Sequence, residues 1–168
     1  LRDKLLHEGS LLYTWNVALG SNFVSLGAYY LMSPFNLLLL VFGKEQITAV
    51  TCFLMCLKIA LTAVTMVHFL SYKDGKKKRS FLIVAISVCY ALSNYVIGYN
   101  WNTMWLDCIM IFPLVMLGFA RMMEEHDPKL YVLSLFYALY CNYYIGYIIC
   151  LFLVLWFFVY GHKTIRRF

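Results

Sequence analysis

The chain has 168 residues, of which 63% are hydrophobic, 18% aromatic and only 13% charged, and its formal net charge is +6. With a mean hydropathy of +0.74, this balance excludes a soluble domain and predicts a polytopic, all-α membrane protein. The positive residues fall in short clusters between apolar runs rather than on a solvated face with interleaved aromatics, so they read as an orientation signal and not as a nucleic-acid footprint.

In chain order, residues 1–22 are polar with aromatic interruptions, and Leu1, Leu5 and Leu6 fit an amphipathic helix stopping at Gly9. Gly20-Ser21-Asn22 marks a turn. The run Phe23 to Phe42 is apolar, but Ser33-Pro34 splits it into pieces too short for a span of roughly 20 residues. Residues 1–45 are therefore expected to form an outer-face loop with interfacial helices, Tyr29 and Tyr30 lying at headgroup level. If Phe23 to Phe42 spanned instead, every later loop would change sides.

Residues 46–168 form the predicted transmembrane region. Spans are expected at about 46–72, 80–99 and 105–122, followed by a final run from Leu130 to Tyr160. The cluster Lys73, Lys76, Lys77, Lys78 and Arg79 assigns residues 73–79 to the cytoplasm, and 123–129 follow on the same side. Pro113 is expected to bend its helix. As one helix the last run would be roughly 46 Å long, more than a hydrocarbon core of about 30 Å. A break at Asn142-Tyr143-Tyr144-Ile145-Gly146-Tyr147 gives a hairpin over 130–160 and returns Lys163, Arg166 and Arg167 at 161–168 to the cytoplasm. Segments 1–45, 100–104 and 142–147 then face outward.

Two charges stand inside these apolar runs. Lys58 lies near mid-membrane, where a lysine pairs with a carboxylate or carbonyl of a neighbouring helix, snorkels, or faces a wet cavity that receives an anion such as a phosphate. Asp107 follows Tyr99 to Leu106 at the start of a span. Its plain explanation is a carboxylate stabilised by a helix N-terminus; its functional one is a base, a phosphate- or metal-site carboxylate, or an acceptor-binding group in a cleft open to the outside. Asn142 reads as interhelical glue or a cap for the second hairpin arm. Tyr13, Trp15, Tyr29, Tyr30, Trp101, Trp105, Tyr143, Tyr144 and Tyr147 form an interfacial belt or a surface that stacks on sugar rings. The six cysteines have no CxxC spacing and read as small packing residues. Among fingerprints of soluble chemistry, GxSxG, HExxH, the P-loop and the dinucleotide motif do not occur.

Several motifs in a fixed order carry a resemblance: Gly9-Ser10-Leu11-Leu12-Tyr13-Thr14-Trp15-Asn16, Leu19-Gly20-Ser21-Asn22-Phe23, Ala28-Tyr29-Tyr30-Leu31-Met32-Ser33-Pro34-Phe35-Asn36, Leu57-Lys58-Ile59, Trp105-Leu106-Asp107, Phe112-Pro113-Leu114 and Asn142 to Tyr147. Over essentially the whole chain these resemble the YfhO family of bacterial membrane proteins. The resemblance implies a GT-C-like transmembrane region in the cytoplasmic membrane. It implies inverting transfer of a sugar from a polyprenyl-phosphate donor to a cell-surface polymer such as teichoic acid. The principal acid is expected upstream of Leu1, with Asp107 as a supporting acid. Lys58, Asn142, Tyr143, Tyr144, Trp15, Asn16, Asn22, Tyr29 and Tyr30 are the expected substrate-binding residues, and a divalent metal is left open. The chain reads as a fragment, inactive by itself. Replacing Asp107 by Asn is expected to cut transfer without loss of folded protein. A transporter or flippase of lipid-linked precursors could use the same two charges, and a non-catalytic membrane scaffold would make Lys58 and Asp107 partners of each other.

Overall fold

The computed structural model describes residues 12–14, 20–74 and 80–165. Trp15 and Asn16, the proposed helix ending at Gly9, most of the 73–79 cluster, and Arg166 and Arg167 lie outside these. A short antiparallel ribbon, β1 (Tyr13–Thr14) and β2 (Ser21–Asn22), opens the described chain, with Tyr13 opposite Asn22 and Thr14 opposite Ser21. Asn22 then caps α1 (Phe23–Leu26), its Oδ1 accepting from Val24 N at 2.9 Å.

A π-helical turn over Gly27–Leu31 and a 3-10 helix over Pro34–Leu40 follow. The break between them has a local cause. A residue before proline is pushed out of the α region, and Ser33 adopts an extended ψ of 125° while Pro34 takes the first helical position, where its missing N–H costs nothing. Ser33 is buried and the Gly27–Leu31 turn packs against the bundle.

A second 3-10 turn, Lys44–Gln46, leads into α2 (Ile47–Asp74). The next apolar run is divided between α3 (Phe81–Ala91) and α4 (Asn94–Tyr99), with Ser93 extended at the join. Then come α5 (Thr103–Glu125), α6 (Lys129–Cys141) and α7 (Tyr143–Ile165). By length and composition, three stretches among the described residues can cross a membrane: α2, the Phe81–Tyr99 pair and α5. The protein is thus an all-α polytopic bundle.

The central helix is α5, which packs against α2, α6 and α7. Its core face brings Cys108, Val115, Met116 and Phe119 against Ala138, Ile149 and Leu153. The approach of α6 is close enough to require glycine: a Cβ on Gly118 would lie 2.4 Å from Tyr131 N and 2.6 Å from its Cα. His126 ends α5 in the left-handed region at φ 58°. The chain then climbs α6 to Asn142, reverses and descends α7, so that Phe152 meets Phe112 and Phe157 lines the groove beside Phe119.

Helix α5 continues unbroken through Pro113. A proline has no N–H for the carbonyl four residues earlier, here that of Ile109. Tyr90 of α3 supplies the missing donor, its Oη reaching Ile109 O at 3.1 Å. At the next residue, Thr65 Oγ1 of α2 donates to Met110 O at 2.7 Å. Neighbouring helices therefore satisfy the backbone where proline disturbs it, as an apolar environment requires.

Candidate functional site

Lys58 lies about 16 Å along α2 from Ile47 and about 24 Å from Asp74. Its side chain is 2% exposed and its Nζ is 2.6 Å from Asp107 Oδ2, the carboxylate being 0% exposed. A second Nζ hydrogen bond reaches Thr103 O at 3.1 Å, and the ring of Phe35 lies 5.6 Å from the ammonium. The other carboxylate oxygen is also engaged: Asp107 Oδ1 accepts from Ser33 Oγ at 3.0 Å and from Tyr137 Oη at 3.1 Å. Four parts of the fold meet here, namely the Ser33–Phe35 corner, α2, α5 and α6.

An isolated buried charge carries a desolvation cost of several kcal/mol, which attraction offsets only when the geometry is good and the remaining lone pairs and protons are satisfied. Asp107 meets that condition with three donors. Its surroundings differ from the expected open cleft at a helix mouth, since the carboxylate is enclosed. Lys58 likewise does not face an open anion cavity; its charge is held by Asp107, the pairing with a neighbouring carboxylate that was one of the sequence alternatives.

Asn142 fills both roles read for it. Its Oδ1 accepts from Ile145 N at 3.0 Å, capping α7, while Nδ2 donates to Tyr29 O at 2.8 Å. The hairpin tip therefore holds the Gly27–Leu31 turn directly. Around this tie, Tyr29 contacts Tyr30, Tyr143 and Tyr144 with ring centroids 4.6, 6.0 and 6.4 Å apart. Tyr30, Tyr143, Tyr144 and Tyr147 remain exposed. Nearby in sequence, Tyr95 lies 5.2 Å from Tyr99, and Tyr99 lies 6.2 Å from Trp105.

Of the residues singled out in the sequence, Lys58 and Asp107 come together, and Asn142, Tyr29, Tyr30, Tyr143 and Tyr144 form an adjoining group at the same end of the bundle. Asn22 stands apart as the cap of α1. Sequence reasoning missed Ser33 and Tyr137 as donors to Asp107, and Phe35 as the ring over Lys58. Ser33-Pro34 was visible only as a helix break. For Tyr137 the available signal was the small-residue face Ser134, Ala138 and Cys141, all buried, which fixes how α6 is turned.

Among the described residues, no group of three or more His, Cys, Asp or Glu side chains converges as a metal site would. Three grooves among the described residues lie on the bundle. They are lined by Tyr90, Phe112 and Phe152, by Phe119, Tyr131 and Phe157, and by Leu38, Val50 and Phe53, and none is lined by Lys58 or Asp107.

Membrane-length helices enclosing a buried, hydrogen-bonded ion pair define a polytopic helical membrane protein. The chain belongs to the YfhO family, whose sequence model, described as bacterial membrane protein YfhO, matches residues 1–168. Searches of curated proteins and of solved structures give no match.

Proposed function

We propose that the full-length protein transfers a sugar from a polyprenyl-phosphate-linked donor to a cell-surface polymer such as teichoic acid, outside the bacterial cytoplasmic membrane. Family membership agrees with this reading, and one observation carries it. A single end of the bundle combines a rigid buried ion pair, a chain segment clamped over it by Ser33 and Tyr29, and exposed tyrosines around the clamp. Transfer of a sugar needs a fixed floor and aromatic faces on which a pyranose can stack, and such preorganisation is where catalytic precision arises.

In this reading the Asn142 end faces outward and residues 73–79 and 161–168 face the cytoplasm, in keeping with their positive charge, with the mixed-charge loop 123–129 on the same side by helix order. Asp107 is a positioning residue. With both oxygens occupied by donors it holds the Ser33–Phe35 corner in place, and removal of the acceptor proton falls to a carboxylate elsewhere in the full-length protein.

The test is transfer from a polyprenyl-phosphate sugar donor by the full-length protein in membrane vesicles, beside a variant with the exposed Tyr143 and Tyr144 replaced by alanine. Transfer by the parent and its loss in the variant is the expected result. Movement of the lipid-linked precursor across the bilayer without transfer would replace this reading by a transporter.

A second reading has its own observation. The mutual pairing of Lys58 and Asp107 is what a non-catalytic scaffold would show, and such a protein would carry out neither transfer nor transport in the same vesicles.

A further inference from the structure

The first turn of α5 holds two donors that the ion-pair network does not use. Asn102 occupies the cap position, yet its side chain makes no capping bond. It is 5% exposed, and its Nδ2 has no hydrogen-bond partner. One turn along, the indole Nε1 of Trp105 is also buried and without a partner. Both groups are N–H donors that cannot accept, so what each lacks is an acceptor.

The electrostatics around these donors are close to balanced. Helix α5 has 23 residues and presents the partial positive charge of its N-terminus here, while Asp107, two residues beyond Trp105, is neutralised by Lys58, whose ammonium also donates to Thr103 O at 3.1 Å. No net negative charge therefore opposes an anion at this turn, and helix N-termini bind phosphate through such donors. The chain leading into the turn presents an apolar surface, with Ile97, Tyr99 and Trp101 all exposed.

We propose that the first turn of α5 binds the phosphate of a lipid-borne phosphate, with Asn102 Nδ2 and Trp105 Nε1 donating to its oxygens and the apolar chain lying along Ile97, Tyr99 and Trp101. The ligand class rests on the proposed function. The site does not, because binding can be measured where no transfer occurs.

The test is equilibrium binding of polyprenyl phosphate, of uncharged polyprenol and of inorganic phosphate to the full-length protein in phosphatidylcholine nanodiscs. Polyprenyl phosphate binds tighter than polyprenol. Trp105→Phe, which keeps the ring and removes only the N–H, lowers that affinity about five- to tenfold, the loss of one hydrogen bond to a charged acceptor. Asn102→Asp, similar in size and a good helix cap, lowers it by more than about tenfold by placing a negative charge beside the phosphate. Thermal melting of both variants establishes that they are folded, and Trp105→Phe alone suffices for the test. Equal affinity for the two lipids overturns the proposal. So does unchanged binding by folded variants, the result expected if buried water alone serves these donors. Displacement by millimolar inorganic phosphate with the same dependence on both variants overturns the lipid assignment in favour of the free ion.

Discussion

Lys58 and Asp107 are 49 residues apart in the chain and 2.6 Å apart in the fold, each almost wholly withdrawn from solvent. Breaking such a pair by removing one partner is expected to cost about 3–5 kcal/mol, because the other charge stays buried, whereas replacing both by apolar residues can be nearly neutral. Lys58→Met and Asp107→Leu should therefore each lower the melting temperature in detergent sharply, and the double variant should recover most of the loss. Asp107→Asn should reduce folded protein together with any activity, contrary to the expectation for an exposed supporting acid. Single variants that melt like the parent would show that the pair does not hold the bundle.

Ser33 and Tyr137 donate to the same carboxylate oxygen from different elements, so their removal should have different spatial consequences. Hydrogen bonds to charged groups contribute about 1.5–3 kcal/mol. Tyr137→Phe should lower global stability. Ser33→Ala should chiefly release the Gly27–Leu40 segment, visible as faster amide hydrogen exchange confined to it. Exchange that rises uniformly through α5 and α6 instead would contradict a local clamp.

Tyr90 compensates for Pro113 through the carbonyl of Ile109. Tyr90→Phe should cost about 1–3 kcal/mol, the penalty for leaving that buried carbonyl unpaired. In a Pro113→Ala background the helix regains its own N–H, and the same change should cost little. A double-mutant cycle read by thermal melting measures this coupling; additive effects would mean that the tyrosine serves something else.

Gly118 and Gly98 make a controlled comparison. A methyl group at 118 would meet the backbone of Tyr131, while at 98 nothing lies within 4 Å. Gly118→Ala must push α6 away and should cost about 1–3 kcal/mol or more. Gly98→Ala, in the helical segment Asn94–Tyr99, should gain about 0.5–1 kcal/mol. Melting temperatures moving in opposite directions are the expected result.

The class of protein was legible because long apolar runs punctuated by basic clusters leave few alternatives. Lys58 and Asp107 were legible as anomalies, since a charge within such a run demands a reason. Their partnership was legible only as one alternative among several, because choosing it depends on how α2 and α5 are rotated about their own axes, which uniformly apolar helices leave unspecified. The same gap hid Tyr137 and Tyr90, tyrosines among many whose importance lies in the carboxylate or carbonyl each happens to reach. The ribbon at Tyr13–Thr14 and Ser21–Asn22 is too short to produce an alternating pattern. Asn142 was easier, since a polar residue before an aromatic, glycine-containing tip is a natural place for a chain to reverse.

The hydrogen bond from Asn142 to the Tyr29 carbonyl joins residues 113 positions apart, and ribosomes deliver them in a fixed order. At roughly 5–20 residues per second, Tyr29 emerges some 6–23 s before its partner. For that interval the Gly27–Leu40 segment has neither the hairpin tip nor Tyr137 to receive it, and Asp107 itself arrives late. The segment over the ion pair is therefore made well before the residues that hold it. A pause in synthesis between Asp107 and Asn142 would leave the Gly27–Leu40 segment without its tie to the hairpin tip.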